Sequence, residues 1–113
     1  MTIEKISVNG VEYVRADQVQ SAPPQKPESP FTVGNAVLVR CVTHYYTGRV
    51  AEVTAEHVIL TDAAWIADTG RFAAALTGGV LTEVEPYPDP VSIARGAIVD
   101  ATLWRHALPR TVK

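Results

Sequence analysis

The sequence predicts a mainly β protein: a small, strongly bent β-barrel with one short helix, preceded by a β-hairpin arm. Three observations point to it. Runs rich in β-branched and aromatic residues recur at short spacing between residues 36 and 104. Tight-turn dipeptides mark the strand ends, Asn9-Gly10 in the arm and Thr47-Gly48 in the barrel. One short alanine-rich stretch, RFAAALTGG at 71–79, reads as a helix. Short strands joined by tight turns, with a single small helix, favour a small barrel over a layered α/β fold.

The 113 residues suit one ordinary domain, with a hydrophobic fraction of 47% and a charged fraction of 19%. A core of this size stabilises the chain only marginally, so a homo-oligomer is expected. The net charge is −2 and the pI is 5.9. That disfavours a general nucleic-acid binder, which normally carries a basic excess. It leaves room for a pocket that takes one small anion. The single cysteine, Cys41, sits in an apolar strand pattern and reads as a buried thiol in a reducing compartment. The start, MTIEKISVNG, lacks the apolar segment of a signal peptide, and no run approaches a membrane span of ~20 apolar residues.

The elements follow in order. ISV and VEYV flank Asn9-Gly10, a two-residue turn in which both positions accept positive φ. ADQVQ suits one helical turn that caps the arm, which spans 1–20. Residues 21–30 hold four of the eight prolines and read as a semi-extended linker. The barrel domain is expected over 31–113. AVLVRCVTHYY, 36–46, reads as one long strand, with Val37, Val39, Cys41, Thr43 and Tyr45 on one face. Leu38, Arg40, Val42, His44 and Tyr46 fall on the other. Thr47-Gly48 turns the chain and RVAEV returns. HVILTDAAWIAD, 57–68, is a third strand with a bend expected near Asp62. Asp68 or Thr69 caps the helix, Gly78-Gly79 ends it, and Phe72 and Leu76 face the core. VLTEVEPY is a fourth strand, and VSIARGAIVDATLW supplies a fifth with a short helical end. The tail RHALPRTVK, like the arm, is expected to make subunit contacts.

Two resemblances add to this reading. VLVRCVTHYYTGRVAEVTAEHVIL, followed by Ile93-Ala94-Arg95-Gly96-Ala97-Ile98, resembles the Sm-like small barrels. That resemblance implies an oligomeric ring which holds nucleotides between aromatic residues and an Arg-Gly turn, with Tyr45, Tyr46, Arg49 and Arg95 as candidates. SVNGVEYVRADQV, WIADTGRF and EVEPYP resemble a group of short phage-encoded proteins of uncharacterised function. This second resemblance implies expression in the host cytoplasm, where small phage proteins often interfere with antiviral defence.

No nucleophile elbow, Walker loop or His-Glu-x-x-His is present, and His44, His57 and His106 lack metal spacing. Catalysis, a metal and a cofactor are therefore not expected. THYYTGRV, 43–50, has two readings. It suits a hairpin that closes the barrel. It also holds the parts of a nucleotide pocket: tyrosine faces for stacking, a planar guanidinium for phosphate, and a glycine for close approach. WIADTGRF likewise offers core aromatics and a helix cap, or an anion site at a helix start with Arg71 in its first turn. The leading expectation is a non-enzymatic phage sponge that sequesters a cyclic-nucleotide or ADP-ribose-type defence signal. Tyr45, Tyr46 and Trp65 would stack on a base. Arg49, Arg71 and Arg95 would neutralise phosphate, and Thr47 and Asp68 would orient hydroxyls. The alternatives are an oligomeric single-stranded RNA or DNA binder, and an interaction module for a host or virion protein.

Overall fold

The computed structural model describes residues 6–8, 11–13 and 29–113, and the chain is mainly β. β1 (Ile6–Val8) and β2 (Val11–Tyr13) form a two-stranded sheet of their own. Val8 pairs with Val11, so two residues join the strands, as Asn9-Gly10 predicts. The helical turn expected in ADQVQ, and most of the proline-rich linker, lie outside the described residues.

The main sheet has six strands: β3 (Ala36–Cys41), β4 (Tyr45–Val53), β5 (His57–Asp68), β6 (Glu83–Pro86), β7 (Val91–Ala94) and β8 (Ile98–Leu103). All its pairings are antiparallel, in the order β6-β5-β4-β3-β8, and β7 joins the other half of β5. β7 leads through a single 3-10 turn, Arg95–Ala97, into β8, which returns beside β3. The sheet bends but does not close: β7 and β8 share no ladder. The fifth strand expected over 91–104 is thus two strands in different pairings.

The bend is built into β4 and β5. Asp62 takes φ 49, and the register shifts between Thr47 and Arg49 opposite it. A short polar side chain tolerates this left-handed conformation, and the extra residue bends the strand there, as expected. Gly48 is inside β4 at this point. A Cβ on it would lie 2.9 Å from Leu60 Cβ and 3.3 Å from Ala63 Cα. This glycine lets two strands approach, and it does not turn the chain.

The hairpin turn lies earlier, at Val42–His44, where the Cys41 N–H donates to the His44 carbonyl at 2.8 Å. The expected continuous strand over 36–46 is therefore wrong, and so is its parity. Tyr45 pairs with Arg40 and shares its face, whereas Tyr46 pairs with Val39.

Both faces of β3 are covered, so Val37, Leu38 and Val39 are all buried. One core cluster includes Val37, Val39, Leu60 and Ile93. The other, on the opposite face, includes Leu38, Ile66, Ala75 and Trp104. The helix α1 (Phe72–Gly78) contributes only Ala75 to it as a buried residue; Phe72 and Leu76 are exposed, contrary to expectation. Asp68 and Thr69 do not cap α1, whose N-cap is Arg71 with no side-chain bond. Instead, the Gly70 N–H donates to Asp68 Oδ1 at 2.8 Å, and the Thr69 hydroxyl donates to the Gly70 carbonyl at 2.8 Å.

The tail packs on its own domain. Trp104 is buried and donates its indole N–H to the Ala107 carbonyl. His106 bonds the Leu76 carbonyl and lies where a Cβ on Gly79 would come within 2.7 Å of its ring. Lys113 exchanges both main-chain hydrogen bonds with Val84 and so covers the outer side of β6 at that residue.

Candidate functional site: an aromatic face and two adjoining recesses

The turn at 42–44 and the bend at Asp62 bring four rings together. Tyr46 on β4 stands directly opposite Trp65 on β5, so both side chains leave the same face. His44, on the turn, lies 6.2 Å from Tyr46 and 5.6 Å from Trp65, between ring centroids. Tyr87, just past β6, lies 6.2 Å from Tyr46. Its main chain is fixed there because its N–H donates to the Ala63 carbonyl and its own carbonyl accepts from Arg110. Tyr46 and Trp65 are half-buried and His44 is exposed. Burial pushes the Tyr46 phenol up, and Tyr87 adds to the effect. The ring therefore stays uncharged at neutral pH.

Trp65 borders two recesses. One, of about 290 Å³, is lined by Thr43, Tyr45, Trp65 and the strand end Ile66–Thr69, including Asp68. The other, of about 170 Å³, is lined by Trp65, Glu85, Pro86 and Tyr87. The first has hydroxyl and carboxylate groups beside an aromatic wall. The second has two rings and one carboxylate. Neither is lined by a cation.

The sequence-predicted residues divide accordingly. Tyr45, Trp65 and Asp68 line one recess, and Tyr46 stands next to Trp65. Thr47 does not join them. It is fully buried, its hydroxyl has no partner among the described residues, and it cannot orient a ligand at the surface. The three arginines do not converge. Arg49 donates to the Gly34 carbonyl at 2.9 Å, and Arg95 donates to the Thr54 carbonyl at 2.8 Å. Arg95 follows Ala94, which pairs with His57 at the start of β5, while Arg71 lies beyond the far end of that strand. Arg71 is exposed and has no side-chain hydrogen bond or ion pair among the described residues; it lies two residues past Thr69. The helix start itself adds little to an anion site, since α1 has only seven residues and its N-cap, Arg71, makes no side-chain cap bond.

Sequence reasoning missed Thr43, Thr69, Glu85 and Tyr87. The pairing of β5 with β6 brings in Glu85 and Tyr87, which no local pattern marks, whereas Thr43 and Thr69 lie within THYYTGRV and WIADTGRF, beside residues that the sequence does single out. Reading Arg40 onto the face of Tyr46 was also wrong. Arg40 makes a bidentate pair with Asp100 on β8, through Nε to Oδ1 at 2.7 Å and through its second nitrogen to Oδ2. Its guanidinium lies 5.8 Å from the Tyr45 ring centroid and 5.3 Å from that of Phe72. Asp100 holds the Arg40 guanidinium above its usual range, and Arg40 holds the Asp100 carboxyl below its own. Burial raises the Cys41 thiol, in keeping with an inert core cysteine.

Among the described residues, no group of three His, Cys, Asp or Glu side chains could hold a metal ion, and no helix is long and apolar enough to cross a membrane. Compared with known protein families, curated proteins and solved structures, the chain matches none of them.

Proposed function

We propose that this protein is a non-catalytic binding protein for a small nucleotide-type ligand, taken at the Trp65 face. The observation that carries the reading is that Trp65, opposite Tyr46, borders both a ring-walled recess and a hydroxyl-lined one. A base stacks on an aromatic face with about 1–3 kcal/mol per base in nucleic-acid binders. A ribose suits this recess, where the Asp68 carboxylate accepts from a ribose hydroxyl and the hydroxyl oxygens of Thr43 and Thr69 accept as well. Phosphate would fall to Arg71, two residues past Thr69, whose guanidinium makes no hydrogen bond or ion pair among the described residues. Arg49 and Arg95 each donate to a backbone carbonyl and line neither recess.

In its finer form the proposal is a phage sponge. It sequesters a cyclic-nucleotide or ADP-ribose-type signal of host antiviral defence, as a homo-oligomer in the host cytoplasm. The phage context rests on the likeness of SVNGVEYVRADQV, WIADTGRF and EVEPYP to short phage-encoded proteins, and the homo-oligomer on the marginal core of a 113-residue chain. The Sm-like reading rests on VLVRCVTHYYTGRVAEVTAEHVIL followed by the Ile93–Ile98 stretch, and β8 returning beside β3 after one 3-10 turn supports it, although the sheet is not closed.

The test is capture. The full chain is incubated with cyclic dinucleotides, cyclic trinucleotides and ADP-ribose isomers, washed, released by heat, and the eluate read by mass spectrometry. Recovery of one intact compound, lost in a folded Arg71→Ala variant, is the expected result. A cleaved product would make the protein an enzyme, and an empty eluate across the panel would overturn the reading.

A further inference from the structure

The recess between Trp65 and Tyr87 carries a selectivity that stacking alone cannot. Stacking tolerates every base, because each has a π face. Discrimination needs a polar group at the base edge. Glu85 is that group: it stands directly opposite Trp65 in the β5–β6 ladder, on the same face, and lines the same recess. Side chains so paired have Cβ atoms about 4.5–5.5 Å apart. The Glu85 carboxylate is exposed and makes no hydrogen bond or ion pair among the described residues.

We infer that this recess selects guanine. The conclusion rests on the nucleotide reading above. An ionised carboxylate is an acceptor with two oxygens and no proton to give. The Watson–Crick edge of guanine presents two adjacent donors, N1–H and the 2-amino group. A base lying on Trp65 with that edge toward Glu85 makes two parallel charge-assisted hydrogen bonds. Adenine presents the acceptor N1 at the same place, against which the carboxylate is repelled and left unpaired. Hypoxanthine keeps N1–H and lacks the 2-amino group, so it falls between. The volume agrees: about 170 Å³ suits one ring system, well below the roughly 300–1,000 Å³ of pockets that enclose whole ligands. The sugar then lies across Trp65, toward the hydroxyl-lined recess of about 290 Å³.

The same rings and carboxylate would also suit an organic cation, through cation–π attraction. The experiment separates the two. Calorimetric titrations of the full chain use guanosine, inosine and adenosine 5′-monophosphates, the all-guanine and all-adenine cyclic dinucleotides, and spermidine. Guanine compounds are expected to bind at least about tenfold tighter than their adenine counterparts, with inosine monophosphate between. A folded Glu85→Ala variant loses that preference and binds the adenine compounds no worse than wild type does. Equal affinity for guanine and adenine compounds would overturn the guanine assignment and leave the nucleotide reading standing. Binding of spermidine with no nucleotide bound, or no binding at all, would overturn both.

Discussion

Trp65 and Glu85 face each other directly across β5 and β6, so a platform for stacking and an acceptor for a base edge share one face of the sheet. Tyr46 completes the row from β4, opposite Trp65 on its other side. Three adjacent strands thus set three side chains in line, without the converging arginines that the sequence suggested. Rigid strands hold such positions better than loops do.

The first prediction concerns that row. Trp65→Ala removes the platform from both recesses. It should weaken nucleotide binding by about 1–3 kcal/mol, the worth of one base stack. Trp65 is half-buried and is not among the buried core residues, so the variant should still melt cooperatively. Calorimetric titration with thermal melting as control checks both halves. Unchanged affinity in the folded variant would remove Trp65 from the site.

Gly48→Ala should destabilise the sheet without touching the site. Its new Cβ meets Leu60 Cβ at 2.9 Å and Ala63 Cα at 3.3 Å, and both residues are buried where β4 crosses the bend. Overpacking of this kind costs about 1–3 kcal/mol. Urea melts should show a lower midpoint with an unchanged slope.

Asp62 should tolerate only residues that accept its backbone. At φ 49, Asp62→Gly or Asp62→Asn should leave the melting temperature nearly unchanged. Asp62→Val should lose about 1–2 kcal/mol, the cost of left-handed backbone for a residue with an ordinary Cβ. Equal stability of the valine and glycine variants would show that the bend does not depend on this torsion.

Much of the sheet was legible in the sequence, because alternation and β-branched content are local signals. The arm hairpin, the bend at Asp62 and the end of α1 at Gly79 were all readable from single residues. The hairpin turn at Val42–His44 was not. Its residues are β-branched or aromatic and read as strand, whereas Gly48, which reads as a turn, is interior. The true turn adds residues outside the ladder and so reverses the faces of Tyr45 and Tyr46. The candidate site was half legible. Tyr45, Tyr46, Trp65 and Asp68 stood out by chemistry and neighbourhood. Glu85 and Tyr87 enter through the pairing of β5 with β6, which no local pattern encodes. Phe72 and Leu76 were placed inward on helical spacing, but a helix of seven residues buries little more than Ala75.

The Arg40–Asp100 pair predicts a pH dependence. Asp100 in the folded protein has a carboxyl below its ordinary value of 3.8, because Arg40 bonds its charged form. Such a group adds stability above the ordinary value, and that stability is lost as pH falls through the lower folded value. Asp100→Asn should therefore melt below wild type at pH 7, and the gap should close as the pH drops below 3.8. Both side chains are partly exposed, at 33% and 50%, so the gap should also shrink with added salt. A gap independent of pH would mean that the pair acts by packing on Tyr45 and Phe72, not by charge.

A two-dimensional NMR titration of the full chain with a captured nucleotide would locate the ligand directly. If the ligand sits at the Trp65 face, the largest shifts should fall on His44, Tyr46, Trp65, Asp68, Thr69, Glu85 and Tyr87, with Arg49 and Arg95 nearly still. Shifts confined to β8, to the arm strands β1 and β2, or to the neighbourhood of Arg49 and Arg95 would contradict it and move the ligand to another face.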